Sequence, residues 1–149
     1  MSLIIDVNVV HKVFPIPDVE FVPLNKAITR RRAEIVYGGE LRREYQRVGW
    51  FWRLLVRLDQ QGTARLADDE QVDAETARLR HGAFCRSDDP HIIALARVAH
   101  VRLLASEDDD LCLDFKNGRL LSRPRGIVYR SASHARILWE YCRRYRKIK

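Results

Sequence analysis

The chain has 149 residues, 46% of them hydrophobic, enough for one domain with a real core, and 27 Lys and Arg against 20 Asp and Glu leave a net charge of +7 that favours a polyanionic partner. No apolar run approaches the roughly 20 residues that span a bilayer, and no basic segment leads into an apolar one, so neither a membrane anchor nor a secretory signal is expected. The three cysteines, Cys85, Cys112 and Cys142, form no CxxC pair, which argues against zinc and for reduced thiols in a cytoplasmic protein.

Residues 3–10 form an almost unbroken apolar run and read as a fully buried strand. Pro15, Pro17 and Pro23 break the next stretch into loop and short turns. Ala33 to Tyr37 is a short β-branched run closed by Gly38-Gly39. Glu40 to about Gln61 reads as one long helix with Leu41, Tyr45, Val48, Trp52 and Leu55 near one face, a kink at Gly49 and a stop at Gly62. Thr63 to Ala67 suits a strand. Asp68 to Arg80 suits an amphipathic helix led by acids that favour the helix dipole. Ser87 or Asp88 is placed to cap the next helix, with Pro90 in its first turn. Val101 to Ala105 is a strand, Leu111 to Phe115 a short helix ended by Asn117-Gly118, and Gly126 to Tyr129 a last strand. Ser131 or Ser133 begins a basic C-terminal helix from about residue 131, with Ile137, Leu138, Tyr141 and Tyr145 on one side. Alternating strands and helices predict a single α/β domain over 1–149, a three-layer α/β/α fold with a central, mainly parallel sheet.

The acids fall at telling places in this pattern. Asp6 lies within the first apolar run, Asp89 opens a helix, and Asp108 follows the strand Val101–Ala105. A carboxylate that interrupts or ends a buried strand is costly unless something pairs with it. Several such groups on separate elements most simply converge on a divalent cation. An oxygen-rich set suits Mg²⁺ or Mn²⁺, the ions of phosphodiester chemistry. In a parallel sheet such sites form at the carboxyl ends of the strands, where Asp6 and Asp108 belong. Basic residues collect elsewhere: from Lys116 onward there are eleven Lys and Arg and one acid, Glu140. An acidic site beside a basic surface fits a metal-dependent nuclease.

Three segments together resemble the PIN domain, the fold of many prokaryotic toxin ribonucleases and of several RNA-processing nucleases. Ile4-Ile5-Asp6-Val7-Asn8 resembles its opening strand, with a metal-binding aspartate and a small polar residue two positions on. Asp89-Pro90-His91-Ile92-Ile93-Ala94-Leu95-Ala96 resembles its helix motif, with an apolar residue at +3 and alanines at +5 and +7. Leu103-Leu104-Ala105-Ser106-Glu107-Asp108 resembles its strand ending in Thr/Ser-x-Asp. The order and separation also fit, over about residues 3 to 130. Val7 stands where Thr or Ser is common, and Ser106 keeps the hydroxyl of the more frequent Thr.

The resemblance implies a metal-dependent endoribonuclease, the toxin of a toxin–antitoxin pair, with Asp6, Glu44, Asp89 and Asp108 as catalytic acids. Asp6 and Asp108 would be direct ligands of Mg²⁺ or Mn²⁺, Asp89 would contribute to the metal site, and Asp110 matches a further acid. Glu40 and Glu44, four apart on one helix face, compete for the family's helix acid, and Glu44 fits the apolar-x-x-Glu-apolar pattern better. Asn8 and Ser106 would orient carboxylates by hydrogen bonds. Asp109 is expected to be exposed and Asp114 to be a helix charge near Lys116. Arg123, Arg125 and Arg130 would clamp the RNA backbone, with Arg30, Arg31 and Arg32 as a second cluster. His91 and His134 are read as structural, and Trp50 and Trp52 as core or dimer-interface residues rather than stacking platforms. RNA is the expected partner, with an antitoxin protein and a second copy of the chain as further candidates. A non-catalytic nucleic-acid-binding module is the alternative. A flavodoxin-like or phosphatase-like domain is disfavoured, because no Gly-rich phosphate loop follows the first strand.

Overall fold

Strand β1 (Ser2–Ile5) is the axis of the fold, seen here in a computed structural model that describes residues 1–139. Leu3, Ile4 and Ile5 are fully buried, as their unbroken apolar run requires. β1 lies between β2 (Glu34–Tyr37) and β4 (Leu103–Ala105), with β3 (Ala64–Leu66) and β5 (Ile127–Tyr129) outside them. The five-stranded sheet has the order β3-β2-β1-β4-β5, and every pairing is parallel. The chain winds outward from β1 to β3, then returns to the other side of β1. Right-handed crossovers therefore place α2 (Val22–Thr29), α3 (Glu40–Gln46) and α4 (Gly49–Gln60) on one face. They place α5 (Asp69–Gly82), α6 (Pro90–Ala99) and α7 (Asp109–Lys116) on the other. The expected three-layer α/β/α architecture is the observed one. Among the described residues no helix is long and apolar enough to cross a membrane.

Several boundaries differ from those expected. The first strand ends at Ile5, and the apolar run continues as a 3-10 turn (Val7–Val9) and the short helix α1 (Val10–Val13). Asp6 makes the switch: its side chain accepts from the Asn8 N–H and caps the turn. Apolar continuity cannot mark this change, because a buried strand and a buried turn share it. Pro23 does not keep its segment in a loop but sits in the first turn of α2, where its missing N–H costs nothing. The expected helix over 40–61 is two helices broken at Arg47–Val48, and Gly49 starts the second rather than kinking one. Beyond the 3-10 turn Ala132–His134, residues 135–139 are helical. Tyr141, Tyr145 and Cys142 lie outside the described residues.

Two devices hold the elements that carry the acids. Gly39 (φ +58) enters α3 in a conformation that L side chains rarely adopt, and a Cβ there would meet Val72 Cγ1 at 2.7 Å. Its N–H donates to Asp69 Oδ1 at 2.7 Å, and Arg42 pairs with Asp69 Oδ2 at 2.6 Å, so the start of α3 is tied to α5. Asp114, expected to be a helix charge near Lys116, is instead buried at 1% exposure. It accepts from the backbone N–H groups of Arg86 and Ser87 at 3.0 and 2.9 Å, and so holds the loop that leads to Asp89. Asp114→Ala should lower unfolding stability in urea by about 2–4 kcal/mol, since two backbone donors lose a charged acceptor. An unchanged midpoint would show that other contacts hold this loop.

Candidate active site

Asp6 is the first residue beyond β1 and is only 4% exposed. Its N–H continues the ladder to Ala105 O at 2.9 Å. This brings Ser106, the first residue beyond β4, beside it: Ser106 Oγ donates to Asp6 Oδ2 at 2.8 Å, and the Asn8 N–H donates to Oδ1 at 3.3 Å. Ser106 Oγ also accepts from the Asp108 N–H at 3.1 Å, so one hydroxyl links two acids. Asp108 caps α7, its Oδ1 accepting from the Leu111 N–H at 2.9 Å. Burial pushes the Asp6 carboxyl above its usual range; the two hydrogen bonds oppose that rise, and the charges of Glu44 and Asp108 add to it.

Asp89 reaches the same edge from α6. It is the N-cap residue, although Ser87 or Asp88 was expected there, and its carboxylate caps nothing. Its N–H donates to Ser87 Oγ at 3.3 Å. Burial raises its carboxyl first, His91 lowers it, and the charges of Asp6, Glu44 and Asp108 raise it further. Asp6, Glu44, Asp89 and Asp108, from four separate elements, thus share one electrostatic neighbourhood at the carboxyl edge of the sheet.

The two glutamates on α3 have different duties. Glu44 acts on both Asp6 and Asp89, and its Oε1 meets His91 Nε2 at 2.5 Å. Glu40 is held by the Arg80 guanidinium through both oxygens, with Nη2 to Oε2 at 2.9 Å, and this bond keeps its carboxyl below the usual range. Glu44 is therefore the acid of the cluster. Tyr45, fully buried beside it on α3, donates its hydroxyl to the carbonyl of Ile5. Burial and then the Asp6 charge hold that phenol well above 10, so it stays a donor that fixes the end of β1.

Of the other expected residues, Asp109, Arg130 and His134 stand as expected and several others do not. Asn8 supports Asp6 through its backbone, while its side chain is exposed. Asp110 is exposed on the first turn of α7. Asp109 is exposed and pairs with Arg130 at 2.8 Å, and Arg130 also reaches Glu107 O, so Arg130 does stand at the acidic edge. Arg123 and Arg125 do not. They precede β5, and in an all-parallel sheet the segment entering a strand lies at the amino edge, opposite Asp6. Arg30, Arg31 and Arg32 precede β2 and lie at that far edge too. Trp52 is half-buried edge-on to Tyr37, with ring centroids 6.1 Å apart, and Trp50 is more open. His134 Nδ1 accepts from the Arg130 N–H at 3.0 Å, a structural role. Cys85 and Cys112 are free thiols raised by burial, Cys85 to about 11.

The donor set at the acidic edge is all oxygen, which suits Mg²⁺ or Mn²⁺. Among the described residues no three His, Cys, Asp or Glu side chains close into a ligand cage. Mg²⁺ needs no such cage, since it keeps several waters and takes one or two direct carboxylates. His91, Tyr45 and Arg80 hold groups at this edge, and no local signal in the sequence marks them for it. No family model, no curated protein and no solved structure matches this chain.

The raised Asp6 carboxyl has a thermodynamic sign. The folded state holds the Asp6 proton more tightly than the unfolded chain, so its ionisation erodes stability as pH rises through the carboxylate range and leaves the fold penalised at pH 7. In EDTA at pH 7, Asp6→Asn should raise the melting temperature by about 2–4 °C, the shift for roughly 1 kcal/mol in a chain of this size. The gain should shrink toward pH 4. A lower melting temperature at pH 7 would mean that the hydrogen bonds from Ser106 and Asn8 outweigh the burial of charge.

Proposed function

We propose that this protein is a Mg²⁺- or Mn²⁺-dependent nuclease of the PIN-domain type that hydrolyses RNA phosphodiesters. The observation that carries this reading is the shared neighbourhood of Asp6, Glu44, Asp89 and Asp108, with Asp6 buried at the end of the central strand. Carboxylates grouped at one edge repel a phosphate backbone unless a cation stands between them. The edge lies where the strand order changes direction about β1, the usual place for a ligand in an open parallel sheet. The choice of RNA, and of a toxin of a toxin–antitoxin pair as the biological role, follows from the resemblance of the three motifs.

Asp6 and Asp108 would hold the cation directly, and Glu44 and Asp89 would complete its surroundings through water. Such an ion, when bound, offsets the charge of the phosphodiester and makes water more acidic. The chain's own residues do the rest. Ser106 fixes Asp6 and Asp108 relative to each other. Asp89, half-buried and raised, is the carboxylate best matched to accept the proton of the attacking water at one of its oxygens. Arg130 keeps a positive charge beside the acids while it holds Asp109 and the Glu107 carbonyl.

Cleavage of a fluorescent single-stranded RNA in Mn²⁺ should stop with EDTA. Asp6→Asn, Asp108→Asn and Glu44→Gln should each lose about 10²–10³-fold, the range for removing one electrostatic group from a transition-state site. Glu40→Gln should lose far less than Glu44→Gln. Variants of Asp6 and Asp108 that cut as fast as the wild type would overturn the assignment, and Mn²⁺ binding without cleavage of any RNA would favour a binding module.

A further inference from the structure

His91 is the second residue of α6 and is 4% exposed, yet it faces charge rather than apolar side chains. Its ring lies between the two glutamates of α3. Nε2 stands 2.5 Å from Glu44 Oε1, and Nδ1 stands 3.3 Å from Glu40 Oε2, too poorly aligned for a hydrogen bond. Glu40 is in turn gripped by both terminal nitrogens of Arg80 from α5. The result is a row, Arg80–Glu40–His91–Glu44, that crosses three helices and ends at the carboxylate felt by Asp6 and Asp89.

Packing alone does not explain this row. Well-packed apolar side chains in place of the whole row would often hold the fold as well or better. Glu44, by contrast, has a flexible side chain whose ordering costs free energy each time it is needed. A donor fixed on a second helix removes that cost in advance. Nε2 engages only Oε1, which leaves Oε2 of Glu44 for other work. Facing an ionised carboxylate, which only accepts, Nε2 is the donor to Oε1.

We propose that His91 is a positioning residue: it holds the Glu44 carboxylate toward Asp6 and Asp89 in the orientation that receives the cation, with the Arg80–Glu40 pair as its backstop. This rests on the metal-nuclease reading above. The carboxylate is thereby set before any cation arrives, and Arg80 extends the support to α5, a helix that supplies no acid to the cluster.

The test is Mn²⁺ affinity by calorimetry, with thermal unfolding of every variant as a check on folding. His91→Phe should weaken Mn²⁺ binding about tenfold or more, the usual cost of losing a group that orients a ligand. His91→Gln, whose amide reaches Glu44 as Nε2 does, should bind within about twofold of the wild type, and the shorter His91→Asn should not. In a Glu44→Gln background, His91→Phe should cause no further loss, because its effect runs through Glu44. Equal affinity of the wild type and H91F, or an undiminished loss in the E44Q background, would overturn the positioning role alone. If H91F does not fold, the comparison of H91Q with H91N decides, and equal affinities there overturn the role. A wild type that takes up no Mn²⁺, or an Asp6→Asn variant that binds as well as the wild type, would overturn the metal-nuclease reading and the role together.

Discussion

Asp6 is a buried carboxylate with no cationic side chain paired to it among the described residues. It has a serine hydroxyl, one backbone N–H and the charges of neighbouring acids. Burying an ionised group on such terms works against the fold. Much of what surrounds it limits that cost without removing it. Ser106 donates to one oxygen, the turn that begins at Asp6 supplies a donor to the other, and Tyr45 secures the carbonyl just before it. The charge remains, and an arrangement that tolerates a charge without neutralising it fits a site that receives a cation from outside.

The supports of the other acids come from a distance in sequence. Asp114 on α7 holds the loop before α6, and that loop sets Asp89 at the edge. Asp69 on α5 holds Gly39 and Arg42 at the start of α3, from which Glu44 projects. Charged side chains that look like surface ornament in a sequence are here tertiary ties that hold the elements carrying the acids. Cations near the acidic edge are largely engaged in this work: Lys12 pairs with Glu107 at 2.7 Å, Arg43 with Asp73 at 2.8 Å and Arg130 with Asp109 at 2.8 Å.

The sheet and its five strands are legible because each leaves a local mark, an apolar run or a glycine stop; Asp6 and Asp108 stand where strands end, Asp89 opens a helix, and Glu44 is singled out only by the resemblance. The break at Arg47–Val48 leaves only Gly49 beside it, a lone glycine that marks a kink as readily as the start of a new helix. Arg123 and Arg125 lie away from the acids for a reason the sequence already contains. A parallel sheet already requires that residues entering the last strand lie at the opposite edge from residues leaving the first. His91 and Asp114 were beyond local reading. The partners of His91 sit on another helix, 47 residues from it in the case of Glu44, and those of Asp114 are backbone N–H groups 27 and 28 residues away.

The bond between Ser106 and Asp6 joins residues 100 positions apart. Asp6 is made before Ser106, and it cannot meet its serine until the chain has grown past β4. At about 5–20 residues per second that interval is on the order of 5–20 s. Throughout it the aspartate lacks both its serine donor and the neighbouring charge of Asp108. The acid cluster is thus absent from a growing chain: it comes into being only when the second half of the sheet closes on the first.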